Sequence, residues 1–355
     1  MNATALISGL LACLLTLLLV PIVIRVCNRL QLLDQPGPLK IHSQPVPRLG
    51  GVAVVVALST AVFSVQPIAA IRAWPFFASL ALVWVVGIID DVRSLSVLLR
   101  LAAQIAAGVL LWHGGWTVPL LGTGAMGLVA TCFFVVTLIN SFNFLDGSDG
   151  LAAGVAGIIS AAYMFSHVAA SNPFEAVLAC SVAGACLGFL RSNFPPARVF
   201  LGDSGSTALG LSVAFLSLNF WRSGQPTVPR ILFPILIAAL PLLDGALAII
   251  RRLSGGLSPL YGDRLHVCDR MMARGWSQRA VALACYGITS VFVAIAWWGV
   301  QRHSPQFWLV AALGAGLLTA SALTLGSLRS KIEESPHQLA THEIRQVGKT
   351  SAGFD

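Results

Sequence analysis

The stretch ATALISGLLACLLTLLLVPIVIRV, residues 3–26, is apolar enough and long enough to cross a lipid bilayer as one helix. It exceeds the apolar core of a signal peptide and no basic segment precedes it, so we expect a helix that is retained. Ten similar runs follow along the chain. The eleven predicted spans are residues 3–26, 50–70, 74–89, 97–112, 118–139, 151–170, 174–190, 206–221, 231–250, 280–300 and 307–328. Two of them, 97–112 and 206–221, are short, so the pattern predicts ten or eleven spans.

The composition of the 355 residues agrees with this interpretation, since 56% are hydrophobic and only 10% are charged. A soluble domain has about 25% charged residues. These numbers exclude a soluble globular protein, a disordered chain, a collagen-like repeat and a coiled coil. The seven cysteines are odd in number and form no CxxC pair, which excludes a disulfide scaffold. We predict an all-α polytopic integral membrane protein, with a transmembrane domain over residues 1–328 and a polar cytoplasmic tail over 329–355.

The charges fall almost entirely on one side of the predicted membrane. If the N-terminus faces outward, alternate loops and the tail hold eighteen of the 22 basic residues, and the other four are Arg72, Arg222, Arg230 and Arg302. This bias follows the positive-inside rule. Thirteen of the 14 acidic residues lie on the same side, with Glu175 as the exception, although the rule makes no demand on carboxylates. The asymmetry predicts an active face at the cytoplasmic membrane surface.

Four segments on that side are unusually rich in acidic, basic and glycine residues. They read VGIIDDVRSLSVLLR (86–100), INSFNFLDGSDGL (139–151), RVFLGDSGST (198–207) and YGDRLHVCDRMMARGW (261–276). Adjacent carboxylates such as Asp90 and Asp91 repel each other unless a cation neutralises them. Mg²⁺ is typically held by one or two carboxylates together with water and phosphate oxygens. Glycines beside Asp146, Asp149 and Asp203 permit the tight turns that such a site needs.

Other parts of these segments suit a phosphate group. Gly202 and Gly205 precede a predicted helix whose N-terminal amides would face an anion. Arginine and histidine in the longest loop supply positive charge. Each feature alone also fits a solvated helix end, a helix cap or an ordinary turn. Their occurrence together on one face favours phosphoryl transfer with a divalent cation.

The first loop on the active side has two interpretations. It reads DQPGPLKIHSQPVPRLGG (34–51), which is too rich in proline and glycine for a helix. Lys40, His42 and Arg48 form either a phosphate clamp or part of a solvated linker.

Two titratable residues near the end of the chain also stand out. His266 has polar neighbours, which favours contact with a phosphate or a nucleotide. Asp244 lies inside a predicted span, where a charge is costly. It either pairs with Arg251 and Arg252 or belongs to the site.

The chain resembles the polyprenyl-phosphate N-acetylhexosamine-1-phosphate transferases in five segments. These are DQPGPLKIHSQPVPRLGG, GIIDDVRSLSVLLRLAAQ, NSFNFLDGSDGLAAG, VFLGDSGS and the basic loop after PLLDGALAIIRR. The resemblance covers roughly residues 1–328 in motif order and spacing. It implies a Mg²⁺-dependent step, with Mn²⁺ as a substitute metal, in which an oxygen of undecaprenyl phosphate attacks the β-phosphorus of a UDP-N-acetylhexosamine and UMP leaves. It also implies a multi-pass protein in the lipid bilayer of the bacterial inner membrane, active loops facing the cytoplasm, no nucleic-acid partner and a homodimer.

The same resemblance implies roles for individual residues. Asp90 and Asp91 match an aspartate pair near the metal and the lipid phosphate, with Asp90 as the proton acceptor or phosphate-orienting group. Asp203 matches an aspartate that ligates Mg²⁺. The catalytic residues it implies are Asp90, Asp91 and Asp203, and the metal ligands are Asp91, Asp146 and Asp203. The substrate contacts it implies are Lys40, His42, Arg48, Asn143, Asp146, Asp149, Asp263, Arg264 and His266.

Two departures from the family pattern bear on the sugar. Where much of the family has a histidine-rich cluster, this chain has GDRLHVCDRMMARGWS with His266 alone, and Ser94 stands where the peptidoglycan enzyme has lysine. Both resemble the subgroup that initiates O-antigen or related surface polysaccharides. The donors left open are UDP-GlcNAc and a 6-deoxy sugar such as QuiNAc or FucNAc. The phospho-MurNAc-pentapeptide transferase of peptidoglycan synthesis is the alternative.

Three other classes of protein fit less well. A secondary transporter would place carboxylates near the bilayer midplane, whereas all of these except Asp244 fall at the ends of spans. A purely structural membrane partner has no need of acidic, glycine-rich loops on one face. A CDP-alcohol phosphotransferase would carry a DGxxAR…GxxxDxxxD pattern, which this sequence lacks.

Overall fold

The structure of the protein is a computed structural model that describes residues 3–36, 44–119, 121–169, 173–258, 265–302 and residue 314. Most of these residues are helical. The helices are α1 (Ala3–Leu30), α2 (Gly50–Val65), α3 (Pro67–Arg72), α4 (Trp74–Val92), α5 (Val97–His113), α6 (Ala125–Leu145), α7 (Leu151–Ala169), α8 (Pro173–Asn193), α9 (Gly202–Arg222), α10 (Val228–Ile237), α11 (Ala239–Ser254), α12 (Val267–Ala273) and α13 (Gln278–Arg302). Two short strands, β1 (Leu33–Asp34) and β2 (Val46–Pro47), pair antiparallel with Asp34 opposite Val46.

The expectation of an all-α polytopic membrane protein is confirmed. Among the described residues, six helices are individually long and apolar enough to cross a membrane, and a bent pair of helices makes a seventh candidate. The six are α1, α4, α6, α7, α8 and α13. The helices α2 and α5 are apolar but have only 16 and 17 residues. The total of ten or eleven spans stays a prediction, and the run 307–328 lies outside the described residues except for Gly314.

Two predicted spans are interrupted, and proline accounts for both breaks. The predicted span 231–250 is two helices, α10 and α11, that meet at Ala238 with a bend of 72°. Pro241 lacks the amide that would bond to the Ile237 carbonyl, so the helix cannot continue through this point. The predicted span 50–70 likewise ends at Gln66, because the ring of Pro67 disfavours helical backbone in the residue before it.

Helix α9 lies at the centre of the bundle. Every residue from Ser204 to Trp221 is buried, and the helix packs against α2, α4, α6 and α7. Glycine permits the closest approach, since a Cβ on Gly87 of α4 would lie 2.5 Å from the Cα of Ser204. The outward faces are apolar instead, as at Leu18 of α1 and Phe133 of α6, which are 67% and 72% exposed. Polar groups of α9 are therefore kept inside while hydrocarbon faces outward, as a bilayer requires.

The acidic motifs meet at one end of this bundle. The carboxyl ends of α4 and α6 contact the amino end of α9, and the Gly50 amide at the start of α2 donates to the Phe200 carbonyl just before α9. We call this the carboxylate end, defined by Asp90, Asp91, Asp146 and Asp203.

Candidate active site

The carboxylate of Asp91 caps the amino end of α9. Its Oδ1 accepts the amide of Asp203 at 2.9 Å, and its Oδ2 accepts the amide of Ser204 at 3.1 Å. Free amides at a helix N-terminus need acceptors, and the positive end of the helix dipole stabilises a carboxylate placed there. The helix begins at Gly202, four residues before the predicted start at Ser206, and the amides of Asp203 and Ser204 bind an anion of the protein itself.

Gly202 makes this arrangement possible. Its φ of +73° lies in the left-handed region, which L side chains rarely adopt. A Cβ at this position would also lie 2.6 Å from Oδ2 of Asp91. The glycine in LGDSG is therefore required by the turn that brings Asp203 and the start of α9 over Asp91.

Asp90 points to a different partner from Asp91. Its Oδ1 accepts the amide of Leu95, and its Oδ2 is 2.9 Å from Nη1 of Arg100 in the first turns of α5. The same guanidinium nitrogen is 3.5 Å from Oδ2 of Asp203. Arg100, which our sequence analysis missed, therefore joins two of the predicted catalytic carboxylates. Its side chain remains 34% exposed, so it can also reach a ligand.

Asp203 is held from the other side by α6. The side-chain amide of Asn143 donates to Oδ1 of Asp203 and also contacts Oγ of Ser206 at 3.0 Å. The side chain of Asp203 is still 29% exposed. The structure thus presents one carboxylate, fixed by Asn143 and Arg100, toward the solvent-accessible side of the site.

Asp146 ends α6 and faces Asp203 and Asp91. It is half-buried, and the amide of Gly147 follows it in a turn that closes on the Phe144 carbonyl. Burial, followed by the nearby charges of Asp203 and Asp91, raises the pKa of the Asp146 carboxyl well above its ordinary value of 3.8. Without a cation the Asp146 carboxyl is therefore harder to ionise than a free one, and a bound cation would favour its ionised form.

Asp91, Asn143, Asp146 and Asp203 line a cavity of about 710 Å³, a volume typical of sites for small ligands, whereas Asp90 and Arg100 lie beside its lining. Its walls include several predicted residues, namely Arg48, Asp91, Asn143, Asp146, Asp149 and Asp203. They also include Asp34, Asn193, Arg198, Phe200 and Gln278, which we did not predict. Asp34 is the first residue of the segment DQPGPLKIHSQPVPRLGG but was not among the predicted substrate contacts. It lies on β1, and its Oδ1 is 3.4 Å from Nε of Arg48.

Other predicted site residues have structural partners or lie elsewhere. Oδ2 of Asp149 accepts the amide of Ala197 at 2.9 Å, which holds the loop between α8 and α9. His266 is buried and does not line the cavity; its Nδ1 is 2.7 Å from Oδ2 of Asp244. The positions of Lys40, His42, Asp263 and Arg264 fall outside the described residues.

The residues present fit a hard divalent cation. Within the described ranges, no three His, Cys, Asp or Glu side chains are close enough together to form a ready-made metal site. Both oxygens of Asp91 also accept main-chain amides. The partly exposed carboxylate of Asp203 and the carboxyl of Asp146 are further hard donors in an acidic cavity. Such a set suits Mg²⁺, which uses few protein carboxylates and takes its other ligands from water and phosphate.

The comparisons with known proteins agree with this site. Residues 73–220, which include Asp90, Asp91, Asn143, Asp146 and Asp203, match the model of the glycosyl transferase family 4. The decaprenyl-phosphate N-acetylglucosaminephosphotransferase of Mycobacterium leprae is 32% identical, over 91% of this chain and 90% of that protein. A probable undecaprenyl-phosphate N-acetylglucosaminyl 1-phosphate transferase of Bacillus subtilis is 31% identical, over 85% and 86%. The undecaprenyl-phosphate alpha-N-acetylglucosaminyl 1-phosphate transferase of Escherichia coli K12 is 25% identical, over 81% and 82%.

Bundle and site together define a helical membrane protein with an acidic, arginine-flanked cavity at one end. With relatives above 30% identity along nine-tenths of its length, the chain belongs to the glycosyl transferase family 4. The resemblance seen in the five sequence motifs is thereby confirmed.

Proposed function

We propose that this protein transfers an N-acetylhexosamine 1-phosphate from a UDP-sugar to a polyprenyl phosphate. An oxygen of the lipid phosphate forms a bond to the β-phosphorus of the donor. The bond from that phosphorus to the bridging oxygen breaks, and UMP leaves with the bridging oxygen. The observation that carries the proposal is the cavity in which Asp203, Asp146 and Asn143 meet two arginines, Arg48 and Arg198.

Different residues would serve different parts of this transfer reaction. Asp203 and Asp146 would hold Mg²⁺, which when bound neutralises diphosphate charge and makes the β-phosphorus more electrophilic. Asn143 fixes the orientation of Asp203. Arg100, next to that carboxylate and partly exposed, is placed to bind the incoming lipid phosphate.

We assign Asp90 to orienting Arg100 rather than to accepting a proton. Both of its oxygens already accept hydrogen bonds, from the Leu95 amide and from Arg100. A phosphate monoester has a second pKa of about 6, so it is largely dianionic at pH 7 and needs no general base. Asp91 similarly acts through the backbone of α9 and not on the reacting atoms.

We propose UDP-N-acetylglucosamine as the donor and undecaprenyl phosphate as the lipid acceptor. The relatives from B. subtilis and E. coli carry both undecaprenyl phosphate and N-acetylglucosamine in their names, which favours this pair over phospho-MurNAc-pentapeptide transfer. A 6-deoxy N-acetylhexosamine is the second donor to test. The charge asymmetry supports an inner-membrane protein with the carboxylate end in the cytoplasm, and the single His266 supports a role in O-antigen or related surface polysaccharide synthesis.

The test is UMP release by purified protein supplied with undecaprenyl phosphate, Mg²⁺ and a panel of UDP-N-acetylhexosamines. We expect release with UDP-GlcNAc and loss of release with EDTA or in Asp203→Asn. Glu175→Gln is the matched control, because it removes a carboxylate in the first turn of α8, at the opposite end of the bundle, and should keep full activity. If folded protein releases no UMP with any donor, the proposal fails and the transporter alternative returns.

A further inference from the structure

The buried pair Asp244 and His266 lies outside the cavity, and both oxygens of its carboxylate have close polar partners. Asp244 is 6% exposed and His266 is 8% exposed. Oδ2 of Asp244 is 2.7 Å from Nδ1 of His266, and Oδ1 accepts the amide of Val267 at 2.9 Å. A buried carboxylate is costly, and here both of its oxygens are used to fix one ring and the start of α12.

The ring that this pair fixes rests on the last turn of α6. The centroid of the His266 ring is 5.1 Å from that of Phe144, and the planes are 32° apart. The guanidinium carbon of Arg252 lies 5.3 Å from the centroid of the same phenyl ring. Phe144 is therefore held by two groups, one from α11 and one from the residue that precedes α12.

Phe144 stands between two residues of the site. Asn143, one position earlier, donates to Asp203, and Asp146 follows two positions later at the end of α6. Helix α11 also approaches α6 closely at Gly245, where a Cβ would lie 3.0 Å from Oγ of Ser141. Movement of Phe144 would therefore move the turn that carries the metal-facing groups.

We propose that Asp244 and His266 are positioning residues that hold the last turn of α6 in the geometry that the cation site requires. This inference rests on the proposed function in placing the cation at Asp146 and Asp203. It gives His266 a role different from the substrate contact predicted from the sequence. Residues that orient the ligands of a metal typically change metal affinity by about 10- to 100-fold when mutated.

The test measures binding of Mn²⁺ alone to the detergent-purified full chain, by the loss of the free-ion electron paramagnetic resonance signal. We expect Asp244→Ala and His266→Phe each to weaken Mn²⁺ binding by about 10- to 100-fold. Because both break the same contact, the double variant should bind no more weakly than the singles. Asp244→Asn should recover most of the affinity, since an amide can still accept from Val267 and contact Nδ1.

Tyr163→Phe is the structural control, because it removes a buried 2.7 Å hydrogen bond to Ser217 of α9 away from the site. It should lower thermal stability and leave Mn²⁺ affinity unchanged. Wild-type affinity in Asp244→Ala, multiplicative losses in the double variant, equal weakening by Tyr163→Phe, or no Mn²⁺ binding by the wild type would each overturn the inference.

Kinetics on the same variants separate the two proposals. At saturating Mg²⁺ the KM for UDP-GlcNAc should stay within about threefold of wild type, whereas a direct donor contact by His266 would raise it by the tenfold or more that a lost hydrogen bond costs. If the wild type releases no UMP but the Mn²⁺ pattern holds, only the proposed function fails. If UMP release is normal and Mn²⁺ affinity is unaffected, only the positioning inference fails.

Discussion

Replacing Asp91 should destabilise the protein far more than replacing its neighbour Asp203. Asp91 is 9% exposed and accepts two main-chain amides, at 2.9 and 3.1 Å. A hydrogen bond to a charged group contributes about 1.5–3 kcal/mol, so the two together contribute about 3–6 kcal/mol. Water in the cavity and the relief of repulsion with Asp146 offset part of this, so we expect Asp91→Ala to lower the free energy of unfolding by about 2–4 kcal/mol. Asp91→Asn keeps one acceptor and should lose about half as much.

Asp203→Asn should behave in the opposite way. The asparagine oxygen can still accept from Asn143, and the loss of one negative charge relieves the repulsion with Asp146 and Asp91. In metal-free protein we expect the free energy of unfolding to stay within about 0.5 kcal/mol of wild type or to rise. The loss should be in UMP release, because the exposed carboxylate is gone.

Unfolding of the metal-free protein in mixed detergent and SDS micelles, followed by far-UV circular dichroism, measures both effects. Activity and Mn²⁺ binding are then measured on the same samples. The assignment of Asp91 would be refuted if Asp91→Ala were as stable as wild type while losing Mn²⁺. That result would make Asp91 a metal ligand, as we expected from the sequence, and not the cap of α9.

Three further predictions concern single positions around the same site. An alanine with left-handed backbone costs roughly 1–2 kcal/mol, and Gly202→Ala should lower the free energy of unfolding by more than this because its Cβ also contacts Asp91. Gly256→Ala is the control, since Gly256 has φ of +70° and open space around it and should show the conformational cost alone. Arg100→Ala should raise the KM for undecaprenyl phosphate by about tenfold, and Arg100→Lys should restore only part of it because lysine lacks the guanidinium fork. Because the pKa of Asp146 is raised in the folded protein, this carboxyl ionises first in the unfolded chain as the pH rises above about 4. The metal-free protein should therefore lose stability as the pH rises from there, and Asp146→Asn should flatten the pH profile of the unfolding free energy.

The convergence of the acidic motifs was predictable from the sequence. Each motif lies at the end of an apolar run, and ends on the same side of a membrane must come near one another in a compact bundle. The described structure places Asp90, Asp91, Asn143, Asp146 and Asp203 together accordingly. Apolar length identified most helices, but it did not show the breaks within 50–70 and 231–250, and it placed the start of α6 at residue 118 instead of Ala125.

The partners of these side chains were not predictable in the same way. Asp91 and Ser204 are 113 positions apart, and no local pattern tells a metal ligand from a carboxylate that caps another helix. Arg100 could have been found from the sequence. Ser96 is the N-cap of α5 and accepts the Leu99 amide, so the serine marks the start of a helix with an arginine in its first turns. The contact between Asp244 and His266 joins α11 to the residue that precedes α12, 22 positions later, and so depends on tertiary packing.

The cap on α9 also decides how the site can handle a diphosphate. In many phosphate sites the free amides of a helix N-terminus bind the anion directly. Here the amides of Asp203 and Ser204 are occupied by Asp91, so the two first-turn donors that would have cradled a phosphate serve the fold instead. Under the proposed function, charge on the diphosphate would be balanced by groups that face the cavity, namely Arg48, Arg198 and a cation at Asp203 and Asp146. Because five aspartates and two arginines line the cavity, and Asp91 occupies the amides of the helix, we expect under the proposed function that diphosphate binding depends on that cation.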